Sequence, residues 1–339
     1  MSRRYLRIIS YFLVVVMIVT TVNVLGASHM AKAGELQVLE TDNLQKVDFK
    51  TLDISDVPDD GLYSFKISDV PDEGLCSFEI SDVPDSLKIL AVGNSLSYNT
   101  LFYVYDIAES LGIKDVVIGN LYIGSCSVKR HWKNAKGDKA AYEYHKNVDG
   151  SWSVKKSVRI SEALCDEDWD YVMLSQYSGH AGVAKTYKPL KKLVNYVKNR
   201  VDDDTKIIWN MMWAYQGDYK SKRFGVYNYS QKTMYKKIVK ATKKKVLNNS
   251  DVNRNIAMII PSGTVIQNAR KSSYGDTFTK DGRHMTRGGC YCLGVHLVSK
   301  LMGIKPSLIK YRPKKVSRRM RKVAIRATRK ALKSPYKVS

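Results

Sequence analysis

The chain has 339 residues, of which 44% are apolar, 26% charged and 10% aromatic. This composition supports a buried core and excludes a collagen, a low-complexity chain and a membrane protein with several spans. The 56 Lys and Arg residues outnumber the 32 Asp and Glu residues, which gives a formal net charge of +24. An anionic partner is therefore expected, whether nucleic acid, a cell wall or a membrane surface.

The first 33 residues have the pattern of a secretory signal peptide. Arg3, Arg4 and Arg7 precede an apolar run at residues 8–25, and an A-x-A-like cleavage site follows at residues 31–33. The alternative is an uncleaved N-terminal anchor, because the apolar run is nearly long enough to cross a bilayer. Either interpretation predicts a secreted or cell-surface protein, and nucleic acid then becomes the poorer explanation of the charge.

Residues 34–86 are interpreted as an acidic spacer built on a repeat of thirteen residues. The copies read ISDVPDDGLYSFK, ISDVPDEGLCSFE and ISDVPDS. Each copy carries a Val-Pro-Asp turn signal, and three copies of this length are too short for a solenoid. The alternative interpretation is a repeat that binds another protein.

The cysteines do not indicate a metal site or a disulfide scaffold. The chain has five of them, with no C-x-x-C motif and no His/Cys spacing typical of zinc. We therefore expect no metal and no cofactor, and we interpret most of the cysteines as small buried apolar side chains. They lie at positions 76, 126, 165, 290 and 292.

From residue 87 onward, apolar runs typical of strands alternate with helical patterns. This alternation predicts one α/β domain over residues 87–304, with a parallel sheet covered on both faces. Residues 142–160, with a turn at Asp149 and Gly150, predict an inserted hairpin. The predicted strands are 87–92, 116–122, 171–174, 206–211 and 256–260, and the predicted helices are 100–111, 187–200, 229–247 and 287–302.

Residues 305–339 form a basic tail with fourteen Lys and Arg residues and no acidic residue. Its apolar residues recur at helical spacing and predict one weakly apolar helix face. They are Val316, Met320, Val323, Ala327 and Ala331. Three interpretations stay open: a solvated tail, a contact with anionic wall polymer or lipid headgroups, and docking onto the acidic repeats.

Ser95 and a distant pair, Asp281 and His284, suggest a nucleophile and its base. Ser95 follows the first strand in a Gly-Asn-Ser sequence and precedes a helix, where a nucleophile gains from the positive helix end. The simpler interpretation of Ser95 is a helix N-cap. Asp281 lies three residues before His284, so that its carboxylate can hold Nδ1 and leave Nε2 free for a serine. The order Ser, Asp, His fits a hydrolase on an α/β sheet.

Other residues at strand ends are candidates for binding. The backbone N–H of Gly124, after the second strand, and the amide of Gln176, after the third, could donate hydrogen bonds to an oxyanion. A turn glycine and a polar loop are the alternatives. Aromatic and polar residues at the same edge are candidates for substrate contact, with core packing as the alternative. They are Trp213, Tyr215, Asn210 and Ser178.

Six stretches of the chain together resemble the SGNH (GDSL-like) hydrolases, a family named for its Ser, Gly, Asn and His blocks. The resemblance covers residues 87–302 and is strongest to a branch known as domain of unknown function 4886. It implies a flavodoxin-like three-layer α/β/α sandwich with a central parallel sheet, and metal-free ester hydrolysis. The stretches are AVGNSLS, NLYIGSCSVKRHW, EDWDYVMLSQYSG, WNMMWAYQ, IIPSGTVIQNAR and DGRHMT.

The resemblance also implies residue roles. Ser95 matches the nucleophile, Gly124 the block II glycine, and His284 and Asp281 the general base and its orienting carboxylate. Two positions depart from the family pattern: Asn94 replaces the usual Asp before the nucleophile, and the block III asparagine is missing from SQYSG. Gln176 is the best substitute donor, and losing one such donor costs roughly 100- to 1000-fold in rate.

The leading hypothesis is a secreted serine esterase with a Ser-His-Asp triad. The expected substrate is an ester-bearing carbohydrate, such as an O-acetylated anionic polysaccharide, or a small acyl ester. The first alternative is a catalytically weak or inactive module that binds anionic wall polymer. The second is a lipase or thioesterase anchored at a membrane by the basic tail. The sequence leaves the oligomeric state open.

Overall fold

A computed structural model describes residues 84–339; the predicted signal peptide and all but the last three residues of the predicted acidic spacer lie outside this part of the chain. The described residues contain a seven-stranded sheet, whose strands are β1 (Ser86–Gly93), β2 (Asp115–Tyr122), β3 (Tyr142–Asn147), β4 (Trp152–Val158), β5 (Tyr171–Ser175), β6 (Lys206–Asn210) and β7 (Met258–Ile260). Their order in the sheet is β4-β3-β2-β1-β5-β6-β7.

Five adjacent strands are parallel, and a hairpin extends one edge. Strand β1 pairs in parallel with β2 and β5, and β5, β6 and β7 continue the parallel set. Strand β3 pairs antiparallel with β2, and β4 pairs antiparallel with β3, as the predicted hairpin requires. The parallel strands follow the flavodoxin-like order, so the predicted fold class is confirmed.

The helices form two groups. The helices are α1 (Ser95–Leu101), α2 (Val104–Glu109), α3 (Val128–Lys136), α4 (Ile160–Leu164), α5 (Leu190–Lys198), α6 (Gln231–Thr242), α7 (Ser250–Asn253), α8 (Ser262–Arg270), α9 (Arg287–Met302) and α10 (Arg318–Lys333). Helix α9 packs against α1, α2, α8 and α10, whereas α3 packs against α4 and α5. With both faces covered, central strands such as β5 are buried at every position, which is why they read as continuous apolar runs.

The first helix differs from its prediction in a way that matters for the site. The pattern predicted one helix over residues 100–111, but the structure has α1 and α2 with a break between them. Asn94 caps α1, and its side-chain oxygen accepts a hydrogen bond from the Leu96 N–H at 2.9 Å. Because the cap lies directly after β1, the helix starts at Ser95 and not five residues later.

The basic C-terminal segment is part of the folded domain. Its predicted apolar face is buried, and α10 packs against α8 and α9. The same compact unit reaches Ser339, so the domain boundary predicted at residue 304 is corrected. The sequence pattern indicated only a weakly apolar face, because alanine side chains are small. The burial of this face depends on the neighbouring helices, which the pattern of the segment does not encode.

Three of the four described cysteines are buried, in agreement with their predicted packing role: Cys126, Cys290 and Cys292, whereas Cys165 is exposed. Within residues 84–339 there is no group of His, Cys, Asp and Glu side chains arranged to hold a metal ion. No helix in this same part of the chain has the length and apolar character needed to cross a membrane.

Two buried histidines make the fold sensitive to acid. Burial, helped by Arg130, lowers the pKa of His131 to about 3. Burial, helped by Lys300, lowers the pKa of His296 to about 3. Neither ring nitrogen of His296 has a hydrogen-bond partner among the described residues, so protonation would leave a buried, unpaired charge.

We expect the free energy of unfolding to fall as the pH drops from 7.5 to 4.5. The unfolded histidine titrates near 6.5, so between about 6.5 and 3 the unfolded state binds more protons than the folded state. The loss at pH 4.5 is about 2 to 3 kcal/mol for each histidine. Urea unfolding at both pH values measures it, and His296→Leu should remove about half of the loss. An unchanged pH dependence in that variant would contradict this account.

Candidate active site

Ser95 is the first residue of α1, directly beyond the carboxyl end of the buried strand β1. The preceding turn is tight: a Cβ on Gly93 would lie 1.9 Å from the Ser97 hydroxyl oxygen, so only glycine fits there. The first N–H groups of a helix lack intrahelical acceptors and carry partial positive charge. Ser95 therefore holds its hydroxyl and its backbone N–H at an edge that favours developing negative charge.

The three predicted catalytic side chains come together in one hydrogen-bonded relay. Ser95 Oγ lies 2.8 Å from His284 Nε2, across 189 positions of sequence. His284 Nδ1 lies 2.5 Å from Asp281 Oδ2. The side chain of His284 is 18% exposed, so a substrate can approach the relay from solvent. This geometry allows His284 to take a proton from Ser95 while Asp281 holds the ring.

Asp281 is held as a carboxylate. Partial burial acts to raise its pKa, but the hydrogen bond from the His284 ring and those from the His284 and Arg283 backbone N–H groups outweigh burial and lower the pKa below its ordinary value. The two backbone bonds reach Oδ1 at 2.7 and 3.1 Å. One carboxylate oxygen thus shapes the loop, and the other orients His284.

The loop that carries Asp281 and His284 is fixed by its neighbours. Trp213 Nε1 donates to the Arg283 carbonyl at 2.8 Å, and the Gln216 N–H donates to the Gly282 carbonyl at 2.9 Å. Gly282 has a φ of +83°, and a Cβ there would lie 2.2 Å from the Tyr219 ring. Position 282, between Asp281 and His284, therefore requires glycine.

Gly124 lies at the same edge as Ser95. Gly93 pairs with Tyr122 across β1 and β2, so the loops that follow both strands leave the sheet side by side. Asn94 Nδ2 donates to the Cys126 carbonyl at 3.1 Å and links the two loops. A carboxylate at position 94 could not make this bond, which gives the departure from Gly-Asp-Ser a structural reason. The oxyanion role of Gly124 stays a prediction.

Gln176 does not fit its predicted role as an oxyanion donor. Its Nε2 is directed to Thr186, with the hydroxyl oxygen at 3.2 Å and the carbonyl oxygen at 3.3 Å. Its Oε1 accepts from the N–H groups of Val128 and Tyr177 at 3.0 and 2.9 Å. The amide is buried and joins three loops, so its donors are already satisfied.

The four predicted substrate contacts are buried side chains, and that prediction is corrected. Trp213 supports the His284 loop, as described above. The hydroxyl groups of Ser178 and Tyr215 pair with each other at 2.9 Å. Asn210 Nδ2 donates to Thr100 Oγ1 at 3.2 Å. Each side chain is at most 1% exposed, so these residues support the edge from beneath and do not face a substrate.

The residues that the sequence did not reveal lie where the hairpin meets α1 and β2. Half-buried rings from α1, β2, β3 and β4 pack together beside Ser95. They are Tyr98, Tyr122, His145 and Trp152, which we call the hairpin shelf. The alternation of residues along 142–158 was the available signal, but it could not reveal which hairpin face turns toward α1.

The fold and the relay together define the class: a flavodoxin-like α/β protein with a Ser-His-Asp arrangement at the carboxyl edge of its sheet. The chain belongs to the family described as domain of unknown function DUF4886, whose model matches residues 88–331. The predicted family branch is thereby confirmed. None of the curated proteins compared with the chain matches it.

Among solved structures, a DUF4886 family protein from Bacteroides uniformis ATCC 8492 is 36% identical, with a TM-score of 0.71. The match covers 75% of this chain and 97% of that one. A candidate SGNH hydrolase from Slackia heliotrinireducens is 16% identical, with a TM-score of 0.43, over 64% of this chain and 100% of that one. A catalytic mutant of an acetylxylan esterase from Geobacillus stearothermophilus is 10% identical, with a TM-score of 0.42, over 67% and 97%.

Proposed function

We propose that this protein is a serine hydrolase of carboxylic esters. The observation that carries the proposal is the relay from Ser95 Oγ through His284 to Asp281, with distances of 2.8 and 2.5 Å. A serine hydroxyl becomes an effective nucleophile when an oriented imidazole accepts its proton. A catalytically inactive binding module would not require this alignment of Ser95, His284 and Asp281.

The first half of the reaction acylates Ser95. His284 Nε2 accepts the hydroxyl proton while Ser95 Oγ bonds to the ester carbonyl carbon, and Asp281 stabilises the charged ring. The N–H groups of Ser95 and Gly124 would hold the resulting oxyanion. His284 then gives the proton to the alcohol oxygen as its bond to carbon breaks, and the alcohol leaves.

The second half releases the acid. His284 takes a proton from a water molecule, which attacks the acyl carbon and re-forms an oxyanion at the same place. The bond from carbon to Ser95 Oγ breaks, and Oγ recovers its proton from His284. With the Gln176 amide satisfied elsewhere, the oxyanion depends on the two backbone donors.

The expected location of the protein is the basis for the substrate that we propose. The signal-peptide pattern of residues 1–33 supports an extracytoplasmic location for the domain, where ester groups on polysaccharides are accessible. We therefore propose an O-acyl carbohydrate as substrate, with O-acetyl as the first group to test.

A second proposed role is attachment of the enzyme to an anionic wall polymer. The outward face of α10 carries one exposed basic stripe, whereas its opposite face is buried. Opposite charges raise the local concentration of an anionic polymer at this surface. The stripe consists of Arg318, Lys322, Arg326, Arg329 and Lys333.

Phosphorylation by an active-site probe tests the proposed chemistry directly. We expect diethyl 4-nitrophenyl phosphate to react once per chain, because Ser95 Oγ bonds to phosphorus while 4-nitrophenolate leaves. Absorbance follows the release, and peptide mass spectrometry locates the diethylphosphoryl group on Ser95. His284→Ala should slow labelling strongly. Labelling at other serines, or equal labelling after the protein is unfolded, would count against the proposal.

A further inference from the structure

The hairpin shelf is a half-buried surface that includes Tyr98, one helical turn after Ser95, and it is flanked by exposed side chains. His145 lies opposite Val154 on β4, and its neighbours on the same face of β3 and β2 are Glu143 and Tyr122. Val154 is 53% exposed, and the Glu143 side chain is 45% exposed. The four rings are half-buried, with the His145 side chain 17% exposed, and they lie beside these exposed side chains on the face of the sheet that α1 borders.

The four rings follow one another in a continuous row. Tyr122 and His145 have ring centroids 5.1 Å apart with planes tilted by only 30°. His145 is 5.8 Å from Tyr98, and Tyr98 is 5.2 Å from Trp152. A row of this length exceeds one sugar ring, so a ligand that covers it has several units.

Two rings of this row lie near Ser95 and Gly124. Tyr98 lies three residues after Ser95 on α1, and residues at this spacing share one helix face. The Tyr122 hydroxyl lies 3.7 Å from the place where a Cβ on Gly124 would be. Tyr98 thus lies one helical turn from the nucleophile, and Tyr122 lies next to the predicted oxyanion donor.

Polar groups accompany the rings. A cleft of about 270 Å³ lies where Tyr122 and Gly124 meet the start of the hairpin, and its lining includes Glu143 and Lys156. Glu143 also pairs with His145 at 3.2 Å. A ligand on this surface meets hydrogen-bonding groups as well as ring faces.

Resting on the proposed esterase function, we propose that the hairpin shelf binds the alcohol part of the substrate, an oligosaccharide of more than one residue. Sugar rings have apolar C–H faces that pack on aromatic side chains and hydroxyl edges that need polar partners. The shelf offers both. A fatty acyl chain gains from an enclosed apolar groove, whereas this surface is open and carries Glu143 and Lys156.

The test compares substrates that differ only in the alcohol or the acyl part. Ester hydrolysis is measured on the full chain with O-acetylated cellotetraose, ethyl acetate and ethyl octanoate, by titration of the released acid. We expect Trp152→Ala to lower the ratio of kcat/KM for the acetylated tetrasaccharide to that for ethyl acetate by about tenfold. Tyr196→Ala, which removes a half-buried tyrosine on α5, is the matched control and should leave the ratio unchanged.

Measuring sugar binding tests the hairpin shelf independently of the proposed esterase activity. Calorimetric titration of Ser95→Ala with cello-, xylo-, chito- and galacturono-tetraose should detect at least one ligand, and Trp152→Ala added to Ser95→Ala should abolish its binding. Absence of ethyl acetate hydrolysis would reject the esterase, while sugar binding that depends on Trp152 would still support the shelf. Binding of none of the four sugars, or a Trp152→Ala effect confined to ethyl octanoate, would overturn the proposal.

Discussion

Replacing Ser95 by alanine is expected to lower kcat for ethyl acetate by about 10⁴-fold or more, with a small change in KM. Ser95 Oγ is the atom that His284 Nε2 approaches at 2.8 Å, and it is the atom that becomes acylated. Alanine removes this atom without filling space, so the fold and the oxyanion donors persist. Initial rates at saturating substrate, measured by acid release, give the change.

Ser250 offers a matched control. Like Ser95, it is the first residue of a helix and follows an asparagine, Asn249, but it is exposed. We expect Ser250→Ala to keep full activity. Substantial activity in Ser95→Ala would show that Ser95 is not the nucleophile. A similar loss in both variants would show that the first position of a helix matters for structure and not for chemistry.

Changing Asp281 to asparagine is expected to lower kcat by about 10⁴-fold, although the loop keeps its shape. The asparagine oxygen can still accept from the His284 and Arg283 N–H groups. Its amide nitrogen donates to Nδ1, however, and this places the imidazole proton on Nε2, where it blocks acceptance of the Ser95 proton. Because the pKa of Asp281 lies below its ordinary value, the substitution also removes a full charge at neutral pH.

The measurement is kcat from pH 5 to 9 together with the thermal unfolding midpoint. Asp203→Asn, at an exposed carboxylate paired with Lys198, is the control and should change neither quantity. An unfolding midpoint near that of the unsubstituted protein, with a large loss of kcat, supports the role assigned to Asp281. A kcat within tenfold of the unsubstituted value would contradict it.

Prediction from sequence succeeded where the signal was local. The strand runs at 87–92 and 171–174 read as continuous apolar segments because both faces of a central parallel strand are covered. The apolar spacing of α10 identified its buried face, and the turn at Asp149 and Gly150 within residues 142–160 identified the hairpin. Ser95 is predicted from its place after a strand, and Asp281 and His284 are predicted from their spacing and from the order Ser, Asp, His.

Prediction failed where a residue type alone was used to assign exposure. Trp213 and Tyr215 were assigned to substrate because aromatic rings suit a ligand, but a ring is as well accommodated in a core. Gln176 was assigned to the oxyanion, but its two donors and its acceptor serve three loops whose positions no local pattern encodes. The domain boundary failed for a similar reason, since the alanine face of α10 gains its burial only from α8 and α9.

The sequence by itself determined the parallel sheet, several of its helices and the three residues of the relay, because these depend on periodicity, on the strand end before Ser95 and on the spacing of Asp281 and His284. Only the tertiary structure decided which side chains face solvent. It buried Trp213 behind the His284 loop and brought Tyr98, Tyr122, His145 and Trp152 into one row beside Ser95. The physical reason is that exposure depends on contacts between elements distant in sequence, which the folded chain alone brings together.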